Sequence, residues 1–204
     1  MTNTSATGGP LLPNPTPAPQ PLEDDALDGF FQQLVVGLTG LDGTLVRPRW
    51  QAVPPNMPSI STTWVAIGVQ LSQADTFAWE GHTPSATGAP NGADVLQRQE
   101  TLDVLGSFYG PGAGNAGKLV KDGLAIAQNR EKLQLAGMGL LEVGDLKAVP
   151  ALINQQWYRR FDMLIRVNRT IVRTYPVLNI LSAEGTITSE GSIEDLVSTF
   201  NVNP

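Results

Sequence analysis

Residues 156–172, QWYRRFDMLIRVNRTIV, form the most regular stretch of the chain and decide the class of fold. Apolar and polar side chains alternate there, and the apolar row consists of Trp157, Phe161, Met163, Ile165, Val167 and Ile171. Only Arg159, Leu164 and Arg169 interrupt the alternation. A long strand with one polar face is typical of an antiparallel sheet that is covered on one side. We therefore predict a strand over 156–172 in such a sheet.

Two stretches upstream of this strand have the periodicity of helices. The first contains apolar residues at spacings of three and four, namely Leu27, Phe30, Phe31, Leu34, Val35 and Leu38. The acidic residues 23–25 suit the start of this helix, and Gly40 or Gly43 is expected to end it. The second stretch predicts one helix over about 115–136.

Shorter alternations predict the remaining strands, and prolines mark a connection. The predicted strands are 65–71, 77–80, 95–109 and 138–143, with a hairpin or flexible loop over 83–94. Four prolines between Arg47 and Pro58 predict an extended connection without regular structure. The order helix, strands, helix, strands is typical of an α+β fold, an antiparallel β-sheet flanked by helices.

The two ends of the chain differ in composition from the part between them. Residues 1–22 are rich in proline, which favours an extended N-terminal arm with little to bury. That arm is expected to act as a spacer or to lie on a neighbouring subunit. Residues 183–204 are polar and interrupted by glycine, and they predict a C-terminal arm or a short hairpin. The folded α+β domain is therefore expected over 23–182.

Composition excludes several classes of protein. The chain of 204 residues has no cysteine, which excludes disulfide scaffolds, thiolate zinc sites and cysteine nucleophiles. Its net charge of −6 argues against a dedicated nucleic-acid binder. The first residues lack the pattern of a secretory signal, and no apolar run approaches the ~20 residues needed to span a bilayer. We expect no membrane partner.

A glycine-rich segment is the strongest apparent catalytic motif. Residues 112–118, GAGNAGK, match the spacing of a phosphate-binding loop up to Lys118. Leu119 follows, however, where such loops carry a hydroxyl that holds the magnesium ion. Turn geometry and helix capping account for the glycines and the asparagine. We therefore expect no nucleotide here, although retention of ATP that depended on Lys118 would revive that interpretation.

The other residues give no indication of an active site. His82 is the only histidine, whereas catalytic triads need a base and metal sites usually need two or more nitrogen or sulfur ligands. The carboxylates are scattered, and no spacing indicates a catalytic pair. The sequence predicts a protein that is not an enzyme and that needs no metal or cofactor.

Basic residues cluster on and directly after the strand predicted over 156–172. Five of the 13 basic residues fall between residues 159 and 173, at Arg159, Arg160, Arg166, Arg169 and Arg173. One interpretation is a solvated sheet face with charge pairs across strands. The other is a surface that contacts an acidic partner subunit or lines a DNA channel, since arginine pairs well with carboxylates and phosphates. Arg159 and Arg169 interrupt the apolar row, so they are expected to find a partner or the sheet edge.

Six segments in order resemble the neck-terminator proteins of tailed phages. They are DGFFQQLVVGLTGL, RPRWQ, STTWVAIGV, FAWEGH, the long segment from LQRQETLDVL to LAGMGL, and QQWYRRFDMLIRVNRTIVRTYPVLNI. The resemblance covers about residues 26–182 and extends to the wider tail-terminator group, including the terminator of lambdoid phages. It implies an antiparallel sheet flanked by helices and no catalytic residues.

The resemblance also implies a function through assembly. A hexameric ring would cap the tail tube, face the head connector or its adaptor, and leave a channel through which genomic DNA passes without sequence recognition. Its partners would be further copies of itself, the tail tube protein, head connector or adaptor proteins and, if the tail contracts, the sheath protein. The protein would be part of the virion neck, assembled in the cytoplasm of the bacterial host.

Two further interpretations of the sequence stay open. One is another structural role, either as a head-completion adaptor or as a minor tail subunit. The second is a binding module that uses the basic strand to recognise an acidic ligand. Copy number per particle would separate the structural roles, and a stable monomer with saturable binding would favour the module.

Overall fold

The computed structural model describes residues 11–14, 21–53, 56–84, 91–153, 155–178, 183–189 and 196–202. The chain divides into two compact units. The larger consists of Pro21–Thr76 and Arg98–Ile171. The smaller consists of Met1–Gln20, Phe77–Gln97 and Val172–Pro204.

Helices and a sheet make up the larger unit. Its helices are α1 (Asp24–Thr39), α2 (Ala113–Ala125) and α3 (Glu131–Leu135), with 3₁₀ turns at Gly43–Leu45 and Ala127–Arg130. Its short strands are β1 (Val46–Pro48), β5 (Met138–Val143), β6 (Lys147–Ala148), β7 (Ala151–Ile153) and β8 (Gln156–Tyr158), and it also contains β2 (Trp64–Ala74). The long strands β4 (Asn91–Tyr109) and β9 (Arg160–Leu178) contribute residues to both units.

The main sheet has the strand order β1-β2-β4-β9-β5, and β6 also pairs with β9. Strand β2 runs antiparallel to β4, and β5 and β6 run antiparallel to β9. Strand β1 runs parallel to β2, with Val46 opposite Val65. The predicted α+β class is confirmed, with one correction: the sheet is mixed and mostly antiparallel. The sequence did not show β1, because prolines in residues 47–58 suggested an irregular connection.

The helices cover one face of this sheet. On α1, Leu27, Phe31, Leu34 and Val35 are buried, as their spacing predicted, and Gly40 ends the helix with φ of 69°. They pack against alternate residues of β2, β4 and β9, among them Ile67, Val104 and Ile165. Phe31 is fully buried, so its loss would cost about 3–5 kcal/mol in a core of this kind.

The second predicted helix is not continuous. Helix α2 ends at Ala125, and Ile126 adopts an extended conformation with φ −79° and ψ 124°. The Asn129 side-chain amide donates to the carbonyl of Gly123 over 2.9 Å, and the backbone N–H of Ile126 donates to the same carbonyl. These bonds close the last turn of α2. The single helix predicted over 115–136 was therefore wrong, although both its ends are helical.

The strand predicted over 156–172 is interrupted at Arg159. Residues on its N-terminal side form β8, which pairs with β7 as a separate two-stranded sheet. The predicted assignment of buried and exposed faces is wrong in β8, because Trp157 is exposed and Tyr158 is buried. From Arg160 onwards the prediction is confirmed, with Met163, Ile165, Val167 and Ile171 buried. The Arg159 carbonyl accepts a hydrogen bond from the Gly110 backbone over 3.0 Å, which fixes the interruption.

In the described part of the smaller unit, the regular secondary structure consists of β-strands. They are β3 (Trp79–Thr83), the first part of β4, the last part of β9, β10 (Ala183–Ser189) and β11 (Leu196–Val202). Strand β3 pairs antiparallel with β4, and β10 pairs antiparallel with β11. The C-terminal residues thus form the hairpin that was one of the two predicted alternatives. Residues 85–90 of the predicted hairpin or loop over 83–94, and most of the N-terminal arm, lie outside the described residues. Thr83 lies in β3, and β4 begins at Asn91, earlier than predicted.

Candidate functional surface

The guanidinium of Arg169 is buried and fully engaged within the larger unit. It donates to the Glu100 carboxylate, to the Leu22 carbonyl and, over 2.8 Å, to the Glu23 carboxylate. Glu100 is buried too and accepts a hydrogen bond from Ser72. Desolvation would lower the pKa of Arg169, but its hydrogen bonds to Glu23 and Glu100 outweigh this effect and raise the pKa. Arg169 therefore ties the chain before α1 to the core.

Arg160 is held by its own strand. Its Nε and Nη2 atoms donate to the two carboxylate oxygens of Asp162, each over 2.7 Å. This hydrogen bonding raises the pKa of Arg160. The guanidinium also lies 5.6 Å from the centroid of the Tyr109 ring. A paired fork of this kind leaves little net charge to attract a phosphate.

Arg166 lies between two carboxylates of neighbouring strands. It donates to Asp103 of β4 over 2.8 Å and to Glu142 of β5 over 3.3 Å. The hydrogen bond with Asp103 raises the pKa of Arg166. Since two carboxylates surround one guanidinium, the local charge is negative. The cross-strand charge pairs that were one interpretation of the arginine cluster are thus present at Arg166.

The two remaining arginines of the cluster lie elsewhere. Arg159 is exposed between β8 and β9, and no described residue accepts a hydrogen bond from its guanidinium. Arg173 is half-buried in the part of β9 that belongs to the smaller unit. Within the larger unit, the structure therefore does not gather Arg159, Arg160, Arg166 and Arg169 into one basic patch.

A second, aromatic core lies on the sheet face opposite the helices. The rings of Trp64 and Tyr109 stack with centroids 4.1 Å apart and planes within 5° of parallel. Tyr158 completes the cluster, and the guanidinium of Arg47 lies 5.9 Å from the Trp64 centroid. The indole Nε1 of Trp64 is buried and has no hydrogen-bond partner among the described residues. This cluster anchors the β7–β8 hairpin, because Ile153 also packs against it.

The other face of the β7–β8 hairpin is apolar and exposed. Leu152 lies opposite Trp157 across the two strands, and the two residues are 60% and 67% exposed. A groove of about 530 Å³ runs beside Trp157, lined by Ala148, Pro150, Tyr158, Arg159, Arg160 and Phe161. Large apolar groups paired on a surface commonly mark a contact with another molecule. Sequence reasoning missed this surface, since it assigned Trp157 to the core.

The glycine-rich segment serves packing. The backbone N–H of Gly112 donates to the Thr63 hydroxyl over 2.9 Å, and a Cβ at Gly117 would lie 2.4 Å from a methyl of Leu146. Lys118 is exposed on α2. Close approach of the chain therefore explains Gly112 and Gly117. The predicted capping role of the asparagine was wrong, because Asn115 lies inside α2 and the helix start has no side-chain cap.

His82 has a local partner. Its Nδ1 lies 2.7 Å from Asp94, directly across β3 and β4. Within the described residues, no group of three histidine, aspartate or glutamate side chains is placed to hold a metal ion. None of the described helices is both long and apolar enough to cross a membrane.

Comparison with known proteins identifies a family for this chain. A family model described as phage neck terminator protein matches residues 25–192. That range contains all of α1 except Asp24, the strands β1, β2, β4, β5, β6 and β9 of the main sheet, and the β7–β8 hairpin. No match was found among curated proteins.

Proposed function

Since the chain belongs to the phage neck terminator family and is thus a structural protein of the virion neck, we propose that it forms a ring that caps the tail tube and joins it to the head. The observation that carries this proposal is the extent of the match, which includes every strand of the main sheet. In a ring, each subunit contacts the next one head-to-tail, so each subunit needs two different surfaces that bind each other. Such a contact gives a closed ring when the rotation between neighbours repeats around one axis. We take the ring to be hexameric, as the sequence resemblance implies.

The ring would end tail growth because its side facing away from the tube does not bind further tail tube protein. One face of the ring binds the last layer of tail tube protein, and the other offers no surface for a further layer. That other face binds head connector or adaptor proteins, and a sheath protein binds the rim if the tail contracts. Assembly takes place in the cytoplasm of the host, and the ring remains in the virion.

Genomic DNA would pass through the ring without being held. Affinity for the DNA backbone rises with the number of phosphates that lysine and arginine neutralise. Arg160 and Arg166 donate to carboxylates of their own subunit, so a channel wall built from this face is close to neutral. The three carboxylates that pair with these two arginines leave the wall slightly negative, and such a wall suits rapid passage better than an uncompensated basic wall. Arg159 and Arg173 remain candidates for contact with a partner or with the channel.

The experiment that tests this function is electron microscopy of particles from phage with a stop codon in this gene. Full heads apart from tails, with overlong or uneven tails, are expected for a terminator. Normal-length tails beside unjoined or leaking heads would assign the protein to the head side of the neck, as an adaptor. Intact infectious particles would refute a role in assembly.

Purified protein provides a second, independent readout. Mass measurement in solution should show a closed oligomer of one size, and negative-stain images should show a central channel. Charge reversal at both Arg160 and Arg166 should weaken assembly or virion yield if this face meets a partner. Unchanged assembly and unchanged yield would remove both residues from the proposed interface and channel.

A further inference from the structure

The β7–β8 hairpin has two apolar faces, and the larger unit covers only one of them. Tyr158 and Ile153 point towards the Trp64–Tyr109 cluster, whereas Leu152 and Trp157 form a cross-strand pair on the opposite side. Each of the two outer side chains is more than half exposed. One cross-strand pair of this size would stabilise the hairpin slightly, but the exposed area remains available to a partner.

The charge near this pair is positive. Residues 147–159 contain Lys147 and Arg159 and no acidic residue, so the rest of the chain carries a net charge of −8. Both basic residues are exposed, and Arg159 also lines the groove beside Trp157. A partner for this surface therefore combines an apolar side chain that enters the groove with a carboxylate that meets Arg159.

We propose that the outer face of the β7–β8 hairpin, with Arg159 and the adjacent groove, docks onto an acidic surface of a second copy of this chain. This inference rests on the proposed ring and identifies the contact that repeats around it. The acidic remainder of every copy supplies the complementary charge. A two-fold contact of hairpin with hairpin is disfavoured, since it would bring two copies of Arg159 together. The contact is therefore head-to-tail, which is the kind that closes into a ring.

The test compares the assembly of purified full-length variants over a range of concentrations, by mass photometry and sedimentation. The double variant Leu152→Ser/Trp157→Ser and the charge reversal Arg159→Glu should each weaken assembly at least roughly tenfold, because tryptophan and arginine dominate interface energies. Matched controls are Trp50→Ser, a highly exposed tryptophan of the same unit, and Lys118→Glu, an exposed charge on α2. Both controls should assemble like the parent protein.

Folding is separable from docking in these variants. Leu152 and Trp157 point away from the aromatic cluster, so the near-ultraviolet circular dichroism from Trp64 and Tyr109 should be unchanged. If the parent protein forms rings and the hairpin variants form them equally well, this inference is overturned and the proposed ring is unaffected. Parent protein that stays monomeric at every concentration would overturn the ring and the inference together.

The absence of cysteine allows the partner to be identified directly. A single cysteine introduced as Ala148→Cys, at an exposed position that lines the groove, carries a photo-crosslinker beside the outer face and leaves Leu152, Trp157 and Arg159 in place. Crosslinks to a second copy, in purified protein and in assembling particles, are expected. Crosslinks to another virion protein alone would overturn the assignment of the partner.

Discussion

The guanidinium of Arg169 and the carboxylate of Glu100 form an ion pair inside the larger unit, and both side chains are almost completely buried. They come from β9 and β4. Arg169 interrupts the apolar row of β9, and Glu100 stands next to the buried residues Leu102 and Val104 in the same row of β4. Removal of one partner from a buried pair leaves an uncompensated charge, which costs more than the pair itself contributes.

We expect Arg169→Met to lower the free energy of unfolding by about 3 kcal/mol. The cost arises because Glu100 keeps a buried carboxylate with no cation beside it. Urea denaturation measures the loss. The double variant Arg169→Met/Glu100→Met should recover most of it, since apolar replacement of both partners is often neutral. Equal losses in the single and double variants would contradict this account.

The chain before α1 should contribute to stability through Arg169. Removal of residues 1–23 takes away the Leu22 carbonyl and Glu23, and leaves buried donors of Arg169 unsatisfied. The expected loss is about 1–3 kcal/mol in urea denaturation. Removal of residues 1–20 leaves both acceptors in place and should cost clearly less. Equal losses from the two truncations would show that Leu22 and Glu23 do not anchor this segment.

Gly110 should not tolerate a side chain. Its φ is 90°, and an added Cβ would lie 2.2 Å from the carbonyl oxygen of Thr62. Gly137 is the matched control, with φ of 71° and open space around it. Gly137→Ala should cost about 1–2 kcal/mol for the left-handed backbone alone. Gly110→Ala should cost distinctly more, measured as the fall in melting temperature, and equal falls would refute the steric explanation.

Magnesium ATP should not stabilise the protein. The glycines of residues 112–118 serve close packing, and Lys118 lies exposed on α2. A ligand present at a hundredfold excess over its dissociation constant would add about 2.7 kcal/mol, which a thermal shift detects easily. We expect no shift in the parent protein or in Lys118→Ala. A shift that appears only in the parent protein would reinstate a nucleotide site.

Sequence patterns predicted those elements whose burial is regular. The apolar spacing of α1 and the alternation in β2 and β9 follow from packing against one core, so local periodicity contains the necessary information. The break in the second helix depends on a side chain, since Asn129 binds the Gly123 carbonyl that ends α2. Propensity along the sequence does not reveal such a bond.

The candidate surface was harder to predict than the fold. Apolar residues resume at Phe161 in the row that contains Trp157, so Arg159 looked like a single interruption within one strand, whereas the break there depends on a contact with the distant Gly110. The ion pair of Arg169 and Glu100 did leave a signal, since Arg169 lies between Val167 and Ile171 in the apolar row of β9 and Glu100 directly precedes Leu102 in the apolar row of β4. Complementary charges in two such rows would have predicted that β4 and β9 are neighbours.

The four tryptophans divide sharply by environment. Trp50, Trp79 and Trp157 are largely exposed, whereas Trp64 is buried in its stack with Tyr109. The fluorescence of exposed indoles lies at longer wavelengths than that of buried ones. Burial of Trp157 by a partner would therefore shift the tryptophan fluorescence of the protein to shorter wavelengths. A Trp157→Phe variant lacks that response and supplies the reference spectrum. The exposed hairpin thus gives the molecule an intrinsic optical reporter, which can follow assembly of the neck in unlabelled samples as it happens.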